Sequence, residues 1–181
     1  MICILLADGF EEAEALIPCD LLRRAEFEVS LCGISGKHVK GSHGVCVEAD
    51  INVKDIVLET VEAVILPGGM PGASNIDACP HTDEILNYAY RNGLVMGAIC
   101  AAPFILGKRG FLRGRTATCF PSFERYLEGA ELSSVNVVCD GNIITARAAG
   151  AAFDFALKII EKLKDHNTAD DIRRGIFYGE Y

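Results

Sequence analysis

Charge of one sign is what this chain has least of. It carries 17 Lys and Arg against 25 Asp and Glu, a formal net charge of −8 over 181 residues. A nucleic-acid partner needs a basic face to neutralise phosphates, and an anionic membrane needs much the same, so neither is expected. No apolar run approaches the ~18 residues of a membrane span. The first six residues are mostly apolar, but no basic segment precedes them and Asp8 follows. They read as a buried strand and not as a leader. Eight cysteines are present (Cys3, Cys19, Cys32, Cys46, Cys79, Cys100, Cys119 and Cys139), yet none falls in a C-x-x-C pair. Zinc ribbons and thioredoxin-type redox motifs are thereby excluded, and scattered free thiols in a reducing cytoplasm are expected. Repeats, low-complexity segments and linkers are also missing. One domain over residues 1–181 is expected, with no cofactor and no metal.

What is present is alternation. Residues 2–7, 27–34, 61–66 and 94–99 are short apolar runs that read as buried strands, with 116–119, 135–138 and 143–146 as shorter candidates. Helical patterns fall between them, at 11–25, 83–91, 148–163 and 169–174. Pro18 sits inside the first helix and is expected to kink or restart it. Residues 39–40 and 45–47, around Ser42-His43-Gly44, suggest a small hairpin. Strand–helix alternation implies an α/β fold, a mostly parallel sheet with helices on both faces. Ligands of such sheets bind beyond the carboxyl ends of the strands. Three segments fall there: residues 8–12, Pro67-Gly68-Gly69 and Cys100.

Cys100 ends an apolar run and is followed at once by Ala101-Ala102-Pro103. That is the pattern of a strand turning sharply into a helix, spaced like a nucleophile elbow with a thiol for the hydroxyl. A thiol at a helix N-terminus is expected to ionise below the free value of about 8.5. An inert core cysteine is the competing reading. No histidine stands beside it: His38 and His43 fall in the hairpin, His81 at a helix start and His166 near a helix end. Among carboxylates, Glu11 and Glu12 suit the solvated start of a helix. Glu14 lies between alanines and before Leu16-Ile17, and if turned inward it is desolvated and holds its proton near neutral pH. Gly68 and Gly69 make a plain glycine turn or, with Ala101, a set of backbone N–H groups for an oxyanion.

Taken in order, Ala7-Asp8-Gly9-Phe10-Glu11-Glu12-Ala13-Glu14, Leu66-Pro67-Gly68-Gly69, Ala98-Ile99-Cys100-Ala101-Ala102-Pro103 and residues 153–160 resemble the ThiJ/PfpI superfamily, in the branch of the parkinsonism-associated protein deglycase and its bacterial relatives. The resemblance implies a flavodoxin-like three-layer sandwich and a homodimer. It makes Cys100 the oxidation-sensitive nucleophile, Glu14 its protonated partner, and Gly68, Gly69 and Ala101 the oxyanion-binding backbone. It implies glutathione-independent conversion of methylglyoxal to lactate, deglycation of early aldehyde adducts on proteins, and protection against oxidative stress, including chaperone behaviour. Some branch members carry a histidine where this chain has Phe120. The protease branch has histidine directly after the cysteine, where Ala101 stands, which counts against peptidase or amidotransferase-like hydrolysis. His43 stands where relatives often have an arginine that reaches across the dimer, so the resemblance implies a contact from His43 of one subunit to the site of the other. Two readings remain open, an aldehyde-converting enzyme and a non-enzymatic thiol sensor or chaperone, and both use Cys100 and Glu14.

Overall fold

The computed structural model describes residues 1–179. In chain order the elements are β1 (Ile2–Leu6), α1 (Glu12–Arg24), β2 (Val29–Gly33), β3 (His38–Lys40), β4 (Cys46–Glu48), β5 (Ile51–Asn52), β6 (Ala63–Leu66), α2 (Gly72–Ala78) and α3 (Pro80–Arg91). They continue with β7 (Val95–Ile99), α4 (Pro103–Lys108), β8 (Thr116–Ala117), β9 (Glu131–Leu132), β10 (Val137–Asp140), β11 (Ile143–Ala146), α5 (Ala152–Leu163) and α6 (His166–Gly175).

The central sheet runs β10-β11-β7-β6-β1-β2-β5, and only the β10–β11 edge is antiparallel. Its main parallel strands, β2-β1-β6-β7-β11, give the 2-1-3-4-5 order of a flavodoxin-like fold. The strands are apolar without alternation because both faces are covered: all five residues of β1 are buried. Ile2, Ile4 and Leu6 enter one core with Leu22 of α1 and Phe155 and Ile160 of α5. Cys3 and Leu5 enter the opposite core with Ile76 of α2, Leu86 of α3 and Leu106 of α4.

Gly97, in the middle of β7, leaves room for α5. A methyl there would lie 2.8 Å from Phe155 Cζ and 3.2 Å from Ile159 Cδ1. Phe155 is fully buried in that space. Phe155→Ala is therefore expected to lose about 4 kcal/mol of stability, the usual scale for emptying a tightly packed aromatic site. Denaturant unfolding checks this through a lower midpoint at unchanged slope. A loss below about 1 kcal/mol would mean that the sheet–α5 contact is not the tight one described.

Several local expectations need correction. α1 runs unbroken through Pro18, because burial of its apolar side on the sheet outweighs one missing N–H. α5 begins at Ala152, after a single 3-10 turn over Ala149–Ala151, later than residue 148. His166 opens α6 instead of trailing α5. The hairpin is present as β3–β4, with Val39 opposite Val47. Half of the eight thiols are core residues; Cys46 and Cys139 are exposed, while Cys79 and Cys100 are half-buried.

Candidate active site

β1, β6 and β7 are neighbours in the sheet and end at the same edge, where the strand order reverses. Backbone contacts knit the segments that follow them. Glu11 N–H donates to Gly68 O at 3.0 Å, and Gly72 N–H donates to Gly9 O at 3.2 Å. Gly69 adopts φ +82°, and a methyl there would fall 2.4 Å from Glu11 N and 2.6 Å from Gly9 O, so only glycine fits the crossing.

Cys100 occupies the corner between β7 and α4 with φ +63°, a conformation that a side chain rarely adopts. The corner is held from both sides: Cys100 N–H donates to Ala146 O at 2.9 Å, and Phe120 N–H donates to Cys100 O at 2.7 Å. Strain maintained by surrounding hydrogen bonds is characteristic of sites where one side chain must point a particular way.

Glu14, on the first turn of α1, turns inward and is 1% exposed. Its Oε2 accepts from Gly68 N–H at 2.8 Å. Its Oε1 is buried and takes no N–H or O–H donor among the described residues. Burial pushes the carboxyl up to about 7, against the opposing pull of Gly68 N–H and the Cys100 thiol, and Glu11 adds to the rise. Cys100 moves the other way from its sequence expectation. Burial, then the charge of Glu14, push the thiol up to about 12, although Ala101 N–H and Gly69 N–H favour the thiolate. The helix that follows has only six residues, so its dipole does not offset desolvation and an adjacent acid.

The two acids thus form one unit that passes from two protons to one near neutral pH. When the remaining proton sits on Glu14, the sulfur is a thiolate faced by the amides of Gly69 and Ala101. When it sits on sulfur, Glu14 is a carboxylate able to accept another. The expected oxyanion set changes accordingly. Gly68 N–H is already committed to Glu14, which leaves Gly69 and Ala101 as the amides turned to the sulfur.

His43 lies on the hairpin loop, 71% exposed, and belongs to a separate cluster. Glu12 Oε1 accepts from the backbone N–H groups of His43 (2.8 Å) and Val45 (3.3 Å), and its Oε2 lies 3.0 Å from His43 Nδ1 and takes Ser42 Oγ at 3.3 Å. Burial works against the Glu12 charge, but its own backbone N–H, then the His43 ring and the His43 and Val45 amides, hold the carboxyl down at about 2. The hydrogen bond that His43 donates to Glu12, then the charges of Glu11 and Glu12, raise the His43 imidazole. Among the described residues, Glu11, Glu12 and His43 bring three ligand-type atoms within 4.8 Å. Four donors already occupy the Glu12 carboxylate, so the cluster works as a clamp on the loop. Glu12→Gln is expected to release that clamp. The His43 titration followed by NMR should then fall toward the unperturbed value, and the His43 and Val45 amides should exchange faster. An unmoved His43 titration would show that Glu12 does not hold it.

Of the remaining histidines, His81 faces Glu84 at 3.8 Å and His166 faces Glu161 at 3.9 Å, both on the surface, and none hydrogen-bonds to Cys100 among the described residues. Phe120 is the neighbour that sequence reading valued only as a missing histidine. Its backbone supports the corner, a role that leaves no signal in residue type.

Among the described residues, no helix is long and apolar enough to cross a membrane. Residues 1–162 match the DJ-1/PfpI family. The chain is 36% identical over 176 residues to the Parkinson disease protein 7 homolog of Danio rerio, covering 94% of this chain and 93% of that protein. It is 34% identical over 162 residues to the glutathione-independent glyoxalase DJR-1.2 of Caenorhabditis elegans, covering 89% and 87%. The solved structure of oxidized Toxoplasma gondii DJ-1 superposes with a TM-score of 0.94 at 32% identity, covering 98% of both chains. With its family match spanning most of its length and relatives of this similarity covered almost end to end, the chain belongs to the DJ-1/PfpI family.

Proposed function

We propose that the protein is a cysteine-dependent, glutathione-independent glyoxalase that converts methylglyoxal to lactate. The observation that carries this reading is the buried Glu14 carboxyl, held by Gly68 N–H and interacting directly with the Cys100 thiol. An acid kept near neutral pH and next to a nucleophile suits a reaction that adds sulfur to a carbonyl and then moves a proton between adjacent carbons. The thiolate of Cys100 adds to the aldehyde carbon, and the new alkoxide takes up a proton to give a hemithioacetal. The Glu14 carboxylate removes the hydrogen from that carbon and returns a proton to the neighbouring one. C1 is thereby oxidised to a thioester and the C2 ketone is reduced to an alcohol. Water cleaves the thioester, releasing lactate and restoring the thiol. Gly69 and Ala101 N–H stabilise the oxyanions that arise at C1.

The similarity to a relative named as a glyoxalase supports the same reading. Early aldehyde adducts on cysteine, lysine and arginine side chains present the same carbon to Cys100, so deglycation belongs to this proposal, as does assembly as a homodimer in the cytoplasm. The test is lactate formation from methylglyoxal without glutathione, followed by NMR on reduced protein. Steady formation that vanishes in Cys100→Ser supports the reading; no lactate from folded, reduced protein overturns it.

A second reading has one observation in its favour: a solved relative is described as oxidized. In that reading peroxide oxidises Cys100 to a sulfinate held by Glu14 and the two amides, and the protein acts as a sensor or chaperone. Mass spectrometry after limited peroxide treatment checks it. Modification of Cys100 ahead of the seven other cysteines is expected; indiscriminate modification counts against it.

A further inference from the structure

Beside the Cys100 corner lies a groove of about 460 Å³ lined by Met70, Ser74, Phe104, Phe123, Arg125 and Tyr126, among others. Its walls are tied to the reacting groups at short range. Met70 directly follows Gly69. Phe104 N–H donates to Ala101 O at 3.1 Å, and Phe123 N–H donates to Phe120 O at 3.1 Å, whose own N–H holds Cys100 O. Three rings make the apolar wall, with Phe104 6.2 Å from Phe123 and 5.9 Å from Tyr126 between centroids. Met70, 51% exposed, and Tyr126, 38% exposed, leave that surface open.

The charges at the rim are unequal. Asp77 is neutralised by Lys108 and Arg109. Arg125 has no carboxylate partner among the described residues; its guanidinium lies 4.8 Å over the Tyr126 ring and donates to Tyr126 Oη at 3.0 Å. The groove therefore offers aromatic surface and one cation that no carboxylate neutralises among the described residues, the complement of a flat apolar ring with a negative group at its far end.

Resting on the glyoxalase reading, we infer that this groove is the subsite for the substituent of the α-oxoaldehyde, and that it selects aromatic aldehydes, above all those with an anionic ring. Phe123 and Met70 hold the ring and Arg125 reads the anion. None of them takes part in proton transfer.

Initial rates with methylglyoxal, phenylglyoxal and 4-carboxyphenylglyoxal test this, taken before the aryl reagents modify arginines. Wild type is expected to favour the aryl substrates through KM. Phe123→Ala should lower the phenylglyoxal-to-methylglyoxal ratio of kcat/KM at least fivefold, through KM and not kcat. Met70→Ala, at a half-exposed position, should shift it the same way and stands in if Phe123→Ala does not fold. Arg125→Gln should lower the 4-carboxyphenylglyoxal-to-phenylglyoxal ratio at least fivefold. Unmoved ratios, or changes confined to kcat, overturn the inference. If wild type turns over none of the three aldehydes, the glyoxalase reading fails and the groove is judged alone, by titrating Cys100→Ser protein with benzoylformate. Saturable binding weakened at least fivefold by Phe123→Ala supports the subsite, and no saturable binding overturns it.

Discussion

Glu14→Gln is expected to yield a protein that is nearly inactive and yet harder to melt at pH 8 than the wild type. Loss of a positioned proton shuttle lowers turnover by about 10³-fold, within the usual range for a general acid–base group. The gain in stability follows from burial. The folded-state value of Glu14 is raised to about 7 from 4.5. An acid with a raised value stabilises the fold fully only below its unfolded value. As pH climbs from about 4.5 to 7 the unfolded chain ionises first, and stability drains away, amounting to about 3 kcal/mol above pH 7. Glutamine keeps the shape, can accept from Gly68 N–H, and never ionises. The variant should therefore melt several degrees above wild type at pH 8, and the difference should close near pH 4.5. In wild type, kcat/KM should rise with pH through a midpoint near 7, as the Glu14–Cys100 unit loses its first proton. Calorimetry at the two pH values and a pH–rate profile decide the matter. A variant that melts lower than wild type at pH 8 would mean that Glu14 is not held in the desolvated state described.

Gly68→Ala should be almost as damaging to turnover, though it adds a single methyl. Gly68 does not adopt a left-handed conformation, so the backbone itself tolerates alanine. The methyl would lie 2.6 Å from Glu14 Oε2 and 2.7 Å from Cys100 Cβ. Glu14 is buried and Cys100 half-buried at a hydrogen-bonded corner, and relief must come from displacing the carboxyl or the thiol. A shift of ~1 Å in a reacting group lowers rate by about 10²-fold. The bond between Gly68 N–H and Glu14 should weaken as well, which lifts Glu14 further and moves the pH–rate midpoint upward. Loss of kcat together with an upward midpoint is the expected signature. A variant with wild-type kcat would show that the spacing of Glu14 and Cys100 does not set the rate.

The sheet was legible because its strands bury both faces, and five-residue apolar runs such as Ile2–Leu6 and Val95–Ile99 stand out in any sequence. α2 was not. Gly72–Ala78 has no apolar stripe; it is helical because Ala73 and Ile76 close one core while Gly72 lies against Phe10. β8 falls within the expected strand over 116–119, whereas the two-residue strands β5 and β9 are pairings without periodicity, set by neighbours elsewhere in the chain. At the site, the inward turn of Glu14 could be suspected from its apolar neighbours, and Cys100 from its corner. The direction of the Cys100 shift could not. Spacing shows a helix start, but the desolvation and the adjacent acid that outweigh it exist only once β1, β6 and β7 stand side by side. The commitment of Gly68 N–H to Glu14 is equally a property of the folded crossing.

The left-handed backbone at Cys100 has a bearing on how this chain can be engineered. A residue other than glycine in that conformation carries roughly 1–2 kcal/mol of strain, and the buried acid beside it adds a second burden at neutral pH. Relieving either improves the fold while dismantling the site. A library selected for heat resistance alone will therefore enrich replacements at positions 14 and 100 first, and its best survivors will be inert. Consensus or thermostability campaigns on this scaffold need an activity screen in every round, or must exclude these two positions from the outset.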